Sequence, residues 1–428
     1  MLTGSYHKRL KADLGRWVGE GLVSAESAAA IRRSLDSQSG FRLPGLLGLF
    51  GGLLIASSVA AFVAANWEET PRLLKLAMIL IGVAAALFYA VRLEKRGSTL
   101  GAEAATTCAV LIFAAGVALI GQMYHLPTDW PGGALLIALG ALAVALLQRS
   151  DGALMAALVA MALWSGGRWA EAQGALHLPF LLLYGPAVWL ALGRSNRAVH
   201  HLAVLALIGW LALLPGQELF MRFDFGIVAY GLALSVGFVA LGALALDRSW
   251  PALLTAFLSW GLIGLQLGLG VELFRILDKG AAQAGSAALL VYLAYAAAIP
   301  ATLGLVALAR ERRFAWPLGL ALLVSLLIPL VFWSGAAAWL AGRVVVAGLI
   351  LVVAMALVVA GSAGGVRRML LAGAGLFGIA VLILLWQTVG TLLSQSLFFL
   401  VAGAALLVLA RATRALLARF ARATEEGA

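Results

Sequence analysis

Cysteine is nearly absent from this chain of 428 residues, since Cys108 is its single example. One thiol cannot form an intramolecular disulfide or a thiolate metal cluster, so both kinds of site are excluded. Because Cys108 lies within an apolar run, we expect it to be a small, buried packing residue. His177, His200 and His201 stand at no spacing typical of metal ligands relative to a carboxylate or a cysteine. We therefore predict neither a metal site nor a cofactor.

Charged residues are also scarce. They make up 11% of the chain, whereas apolar residues make up 63% and the mean hydropathy is +1.02. Soluble domains carry about 25% charged residues, so an ordinary soluble globular protein is excluded. The chain contains instead a series of apolar runs of about 20 residues, the length that a helix needs to cross a hydrocarbon core about 30 Å thick. The sequence therefore predicts an all-α fold, a polytopic transmembrane helical bundle.

Fourteen apolar runs follow Pro44 in the sequence. Several of them are short or lie close to a neighbour, so twelve spans are the alternative count. Either even number keeps both termini on the same side of the membrane. The predicted spans are residues 44–66, 72–92, 101–123, 131–148, 152–168, 177–193, 198–215, 225–246, 251–275, 284–309, 314–333, 342–362, 369–389 and 391–410.

Basic residues outnumber acidic residues by 30 to 19, which gives a net charge of +11. The excess falls in every second gap between the apolar runs. With the N-terminus in the cytoplasm, 23 of the 30 basic residues lie on the cytoplasmic side and 7 on the outer side, the bias that marks cytoplasmic loops. We therefore predict that both termini are cytoplasmic. Because topology accounts for the positive charge, we expect no nucleic-acid partner.

Three regions follow from this pattern: a cytosolic amphipathic helix pair at residues 1–43, a transmembrane helical domain at 44–410 and a basic amphipathic tail at 411–428. We expect no cleavable targeting segment before the helix pair. Gly21 is expected to end the first helix and Ser24 to cap the second. Two short helices bury little apolar surface alone, so their apolar stripes must pack on each other, on the membrane or on a partner. The tail is typical of a helix that lies along an anionic inner leaflet.

The third predicted span carries candidate functional residues at both of its ends. Glu103 lies near its cytoplasmic end and allows two interpretations: an acid stabilised at a helix N-terminus, or a carboxylate that faces a polar cavity and takes up a proton or cation. Gln122, Tyr124 and His125 gather in a tight outer turn, where His125 could relay protons or be structural. Glu103 and His125 are 22 residues apart, about 33 Å along a helix, so they cannot share a site.

The first outer turn has a similar composition. Asn66 is a plausible helix cap there, and Trp67 is typical of an anchor at the membrane interface. Lys75 lies about one turn inside the second span. Its ammonium group is expected either to extend outward into water or to pair with Glu68 or Glu69.

Polar residues, prolines and glycines interrupt other spans. Polar groups inside a bilayer are costly and therefore mark candidate sites, of which we select Gln266. Pro300 and Pro329 are expected to break helices, as prolines do at many transporter sites. Gly264 and Gly268 have the four-residue spacing that allows helix backbones to approach closely.

Several short motifs in the N-terminal third resemble a family of bacterial membrane proteins catalogued as domain of unknown function 2157. The resemblance covers about residues 5 to 150, and its most specific part is the Gly-Gln-x-Tyr-His element. The family usually has Gly-Glu where this chain has Gly-Ala-Glu. The resemblance implies a bacterial inner-membrane location and brings no established activity. The motifs are Trp17-Val-Gly-Glu-Gly-Leu-Val-Ser, Ala65-Asn-Trp, Gly101-Ala-Glu and Gly121-Gln-Met-Tyr-His-Leu, while Thr391-Leu-Leu-Ser-Gln-Ser-Leu is similar to the end of a companion membrane family.

Three functions are compatible with these features. The first is a permease, proton-linked in one version, that moves a small solute or a lipid-linked species; span number, short loops, interrupted helices and Glu103 favour it. The alternative is a non-transporting scaffold or assembly subunit that contacts membrane lipids, other membrane proteins through its helix pair, or copies of itself. The third is an intramembrane enzyme acting on lipid, which the short outer loops disfavour.

The predicted orientation can be tested by thiol labelling in a Cys108→Ala background, which contains no other cysteine. We expect a membrane-impermeant maleimide to label Glu218→Cys in intact cells and Glu311→Cys only after permeabilisation, because these positions lie in predicted outer and cytoplasmic loops. Labelling of position 311 in intact cells would contradict the orientation.

Overall fold

The computed structural model describes residues 13–28, 70–124, 129–215, 225–246, 253–277, 288–334 and 340–388. The predicted spans at 44–66 and 391–410, the tail at 411–428, and the candidate residues Asn66, Trp67 and His125 lie outside these described residues. The chain divides into two compact units, Met1–Lys75 and Leu76–Ala428.

In the first unit, the described residues 13–28 contain two helical stretches separated at Gly21. Gly21 has a φ of +72°, a left-handed conformation that glycine adopts without strain, so the first stretch ends there as predicted. The backbone N–H of Ser27 donates a hydrogen bond of 3.1 Å to Ser24 Oγ. Ser24 therefore caps the second stretch, as the sequence indicates.

Twelve helices fill the described residues from Arg72 to Thr388, and each overlaps one predicted span. Nine of them, α1 to α4 and α7 to α11, are long and apolar enough to cross a membrane; α5 and α6 are shorter apolar helices, and α12 is in neither group. The predicted all-α, polytopic helical bundle is confirmed. The helices are α1 (Arg72–Lys95), α2 (Thr99–Met123), α3 (Trp130–Leu147), α4 (Asp151–Glu171), α5 (Phe180–Leu192), α6 (Arg197–Ala212), α7 (Phe225–Leu244), α8 (Leu253–Leu277), α9 (Ala288–Leu308), α10 (Ala315–Trp333), α11 (Leu340–Ala363) and α12 (Arg367–Thr388).

Polar caps allow α3, α4 and α6 to begin after very short loops. Asp129 accepts a hydrogen bond of 2.8 Å from the backbone of Gly132 at the start of α3. Ser150 and Asn196 cap α4 and α6 in the same way. Each cap satisfies a backbone N–H that has no partner within its own helix. Consecutive helices can therefore reverse direction within a few residues.

Small residues line the contacts between helices. On α3, Ala138, Ala141 and Ala145 are buried at helical spacing, and on the neighbouring α4, Ala153 and Ala157 are equally buried. A second cluster contains buried residues from all six helices from α7 through α12. In a bilayer the lipid is as apolar as the side chains, so close van der Waals packing between helices stabilises such contacts.

Glycines bring the backbones of α7 and α8 into direct contact. A Cβ atom added at Gly242 would lie 2.3 Å from the backbone nitrogen of Leu258. Gly264 and Gly268, selected from the sequence, also face α7: an added Cβ would lie 2.3 Å from Ser235 Oγ and 2.5 Å from Leu232 Cδ2, respectively. Side chains of α7 thus fill the space at this glycine pair, which supports tight packing of α7 on α8, while the backbones meet at Gly242.

The expectation that Cys108 is buried is wrong, because its side chain is exposed. Cys108 lies on α2 between Ala104 and Leu111, which are exposed as well. This spacing of three and four residues defines the face of α2 that points away from α3 and α4. Hydropathy cannot distinguish such an exposed apolar face from one that is buried in the protein.

The α7–α8 contact predicts that alanine substitutions at two glycines of α7 differ in their effect on stability. We expect Gly242→Ala to destabilise the protein by about 1–3 kcal/mol, because its methyl group would overlap the α8 backbone. The matched control is Gly237→Ala, since nothing lies within 4 Å of a Cβ at that position. Thermal unfolding of the purified protein in detergent measures both, and an equal Tm for the two variants would contradict this description of the contact.

Candidate functional site

The Glu103 carboxylate binds the N-terminus of a neighbouring helix. Glu103 is the fifth residue of α2, and its Oε1 accepts a hydrogen bond of 2.8 Å from Ser150 Oγ, the cap of α4. The same oxygen accepts a hydrogen bond from the backbone N–H of Gly152 in the first turn of α4. Helix N-termini carry partial positive charge and attract carboxylates. Glu103 therefore joins α2 to α4, whereas the sequence suggested stabilisation by its own helix.

Gly152 permits this contact because it has no side chain. An added Cβ would lie 2.0 Å from Thr107 Oγ1 and 3.1 Å from Glu103 Oε1. Thr107 itself lies one turn after Glu103 and donates a hydrogen bond of 2.9 Å to the Glu103 carbonyl. The first turn of α4 thus packs directly against the face of α2 that carries the carboxylate.

Arg194, which follows α5, binds the opposite kind of helix end. Its Nη2 donates a hydrogen bond of 3.0 Å to the carbonyl of Ala145 in the last turn of α3, and its Nη1 donates to the carbonyl of Arg149. Its Nε lies 3.7 Å from Asp151 Oδ1. A cation at a helix C-terminus is favourable because the terminal carbonyls carry partial negative charge. We refer to Glu103, Arg149, Ser150, Asp151 and Arg194 as the Glu103 cluster.

Within the Glu103 cluster, Arg149 has an unusual backbone conformation. Its φ is +50°, in the left-handed region that costs a residue with a Cβ atom roughly 1–2 kcal/mol. The hydrogen bond from Arg194 to its carbonyl helps to hold this conformation. The exposed Arg149 side chain borders a cavity of about 570 Å³ between the C-terminal ends of α3 and α5, which Leu146, Arg149, Trp189, Leu190, Leu192, Gly193 and Arg194 line.

A second polar cluster lies at the other end of α3 and α4. Arg168 Nη2 donates a hydrogen bond of 2.9 Å to Asp129 Oδ2 and Nη1 donates one of 2.8 Å to Glu171 Oε2. The hydrogen bond from the Gly132 amide, and then the one from Arg168, hold the pKa of Asp129 below its usual value. Asp129 therefore remains an anion that caps α3 and pairs with α4.

His177 lies beside this second cluster, in the loop between α4 and α5. Its ring lies 4.5 Å from the ring of Trp164, measured between centroids, in an edge-to-face arrangement. Trp210 Nε1 donates a hydrogen bond of 3.0 Å to the His177 carbonyl. Burial, with a smaller contribution from the Arg168 charge, lowers the pKa of His177, so the neutral ring is favoured. Among the described residues, no three His, Cys, Asp or Glu side chains are grouped as metal ligands would be.

The structure does not bring the remaining sequence-selected residues together. Gln122 and Tyr124 lie exposed at the C-terminal end of α2, opposite the end that carries Glu103. Lys75 is only 7% exposed in the first turns of α1, which argues against the predicted extension into water. Gln266 Nε2 donates a hydrogen bond of 3.0 Å to the Ala372 carbonyl and so joins α8 to α12.

Sequence reasoning missed Glu272, a carboxylate with 0% exposure in α8. It lies within an apolar stretch long enough to span a membrane, Leu253–Phe274. Tyr295 of α9 lies within electrostatic range of Glu272, and its hydroxyl donates a hydrogen bond of 2.9 Å to the Leu326 carbonyl of α10. The sequence did contain a signal for this residue, because Glu272 is an acidic residue inside a predicted span.

Helices long enough to cross a membrane, with polar clusters where they end, define a polytopic helical membrane protein. Residues 15–154 match the model of a family described as "Predicted membrane protein (DUF2157)". The resemblance inferred from the motifs is thereby confirmed for the N-terminal third. The matched region contains every member of the Glu103 cluster except Arg194. Comparisons with curated proteins and with solved structures give no match.

The contacts of Glu103 predict a graded loss of stability. We expect Glu103→Ala to destabilise the protein by about 2 kcal/mol, because it removes hydrogen bonds made by a charged acceptor and leaves the α4 terminus unpaired. Glu103→Gln retains an acceptor oxygen and should cost about half as much. Glu94→Gln, at an exposed position of α1, is the control for the loss of one negative charge. Equal Tm values for Glu103→Ala and the wild type would contradict the helix-joining role.

Proposed function

We propose that this protein is a permease of the bacterial inner membrane, linked to proton movement through Glu272. The observation that carries the proposal is the complete burial of the Glu272 carboxylate within a membrane-spanning helix. The solute is small or lipid-linked, and the transport experiment below identifies its chemical class.

The physical argument starts from the cost of burying a charge. An anionic carboxylate withdrawn from water is costly unless a proton or a cation neutralises it. A carboxylate in this position therefore responds strongly to its charge state, and gain or loss of a proton alters the forces on its helix. Coupling of proton binding to helix movement requires such a group.

Two helices near Tyr295, which lies close enough to Glu272 to feel its charge, support the proposal because both contain proline. Pro300 lies within α9 and Pro329 within α10. Proline lacks the N–H that would bond to the carbonyl four residues earlier, so helices bend at these positions. Tyr295 joins α9 to α10 only three residues before Pro329, through the carbonyl of Leu326. A charge change at Glu272 would thus act next to two helices that already have interrupted hydrogen bonding.

We assign Glu103 a structural role rather than the proton uptake that the sequence also allowed. Its carboxylate is held by the cap and the first turn of α4, the arrangement of an acid that stabilises helix ends. Gln266, Gln122 and Tyr124 remain candidates for contacts with a solute. At the first two outer turns, the candidates for solute contacts are Asn66, Trp67, Lys75 and His125.

We also propose that the Glu103 cluster faces the cytoplasm and that both termini do so. The supporting feature is the charge at its end of the bundle, where Arg149, Arg194 and Arg197 adjoin the ends of α3, α5 and α6. At the other end of these helices, Arg168 is paired with two carboxylates. The bias of arginine toward one end is the one that cytoplasmic loops display.

The transport proposal is tested in proteoliposomes that contain a pH-sensitive dye. Amino acids, sugars, organic acids, inorganic cations and a lipid-linked sugar are supplied from outside, one class at a time. We expect at least one class to change the internal pH with the wild type. Glu272→Gln should abolish this response, because glutamine cannot bind and release a proton.

The control is Glu103→Gln, compared at equal amounts of folded protein. It should retain the response, since Glu103 has no part in the proposed proton movement. Loss of the response in Glu103→Gln with retention in Glu272→Gln would move the proton site to Glu103. If no class produces a response with the wild type, the permease proposal is wrong and the scaffold alternative replaces it.

A further inference from the structure

We propose that the cavity between the C-terminal ends of α3 and α5 binds the phosphate headgroup of an anionic phospholipid. The cavity has a volume of about 570 Å³, and Arg149 and Arg194 line it together with Trp189 and leucine side chains. We call it the Arg149 cavity. The inference is independent of the proposed transport activity.

The two arginines of the Arg149 cavity have different tasks. Arg194 is largely buried, and its guanidinium donates to the carbonyls of Ala145 and Arg149. It therefore supplies positive charge and fixes the turn, while its Nε remains beside Asp151. The guanidinium of Arg149 is exposed at the cavity, and its planar fork of N–H groups matches the oxygens of a phosphate. Arg197, exposed at the start of α6, adds a further positive charge nearby.

The apolar side chains indicate a lipid rather than a free phosphate. Trp189 is 68% exposed on α5, and Leu146 and Leu192 are also exposed at the ends of their helices. In a bilayer these surfaces contact acyl chains, and an exposed tryptophan near a helix end is typical of the headgroup level. The cavity thus offers cations and acyl-chain contacts side by side, as a basic lipid site between helices does.

The backbone of Arg149 provides an independent observation. Positive φ values among the described residues fall on four glycines, where they cause no strain, and on two residues with a Cβ atom, Arg149 and Gln173 in the turn after α4. Arg149 adopts φ +50° although it has a Cβ atom. A strained conformation retained at a charged residue beside a cavity points to a function for that side chain. Here the function is phosphate binding.

A second cavity, formed by the turn after α9, provides an internal comparison. It is lined by Ala307, Leu308, Ala309, Arg310, Glu311 and Arg312. A single segment forms it, it contains its own acidic residue, and it lacks an aromatic side chain. Arg310 is exposed, and the topology places it on the same side as Arg149. Arg310→Gln therefore removes an equivalent surface charge without altering the Arg149 cavity.

The test measures lipid binding to the full, delipidated protein by native mass spectrometry in detergent. Phosphatidylglycerol, phosphatidylcholine and inorganic phosphate are titrated separately. We expect preferential retention of phosphatidylglycerol by the wild type. Arg149→Gly should weaken this retention about fivefold, the contribution of one basic residue near an anionic lipid surface. Because glycine relieves the positive φ, this variant should be at least as stable as the wild type.

Two further variants separate the sources of binding. Arg310→Gln should retain phosphatidylglycerol as the wild type does, and equal losses in Arg310→Gln and Arg149→Gly would overturn the proposal in favour of diffuse surface charge. Trp189→Ala should weaken lipid retention through loss of the apolar contact. Displacement of the lipid by an equal concentration of inorganic phosphate would overturn the lipid assignment, because the occupant would then be a free anion. Unchanged retention by Arg149→Gly would overturn the site itself.

Discussion

Several helix ends in this bundle receive hydrogen bonds from side chains of other helices, in addition to their own caps. A helix leaves four N–H groups and four carbonyls unpaired at its termini, and the hydrocarbon core of a bilayer offers no water to bond them. Glu103 of α2 accepts from the first turn of α4, and Arg194 donates to the last carbonyls of α3. At the opposite end, Trp169 Nε1 and the Tyr230 hydroxyl donate to the carbonyls of Leu213 and Leu211, respectively. Each bond satisfies a terminus and at the same time fixes the position of one helix relative to another.

This constraint separates two kinds of acidic residue in the chain. Glu103 and Asp129 lie where helices begin, and Glu103 Oε1 and Asp129 Oδ1 accept hydrogen bonds from Ser150 Oγ and the Gly132 amide, respectively. Glu272 lies five residues before the C-terminal end of α8 and is entirely buried. The first kind stabilises the bundle in one arrangement. A buried carboxylate inside a span is costly as an anion, and for this reason the proposed function is based on Glu272 and not on Glu103.

Much of the fold was predictable because hydropathy reports membrane spans directly. The twelve described helices from α1 to α12 follow the predicted spans, and even the proposed cap at Ser24 agrees with the structure. Contacts between distant residues were not predictable from one sequence. Glu103 and Gly152 are 49 positions apart, and nothing in the local pattern relates them. Cys108 shows the same limit, since an apolar face toward lipid and an apolar face toward protein have the same composition.

The short helix α5 has a consequence for the surrounding bilayer. Its 13 residues extend only about 20 Å, less than the hydrocarbon thickness of about 30 Å. Contacts at both ends prevent its displacement, because His177 packs on Trp164 and Arg194 is held at the end of α3. If α5 spans the bilayer, adjacent lipids would have to compress, and such a hydrophobic mismatch would favour thin regions of membrane.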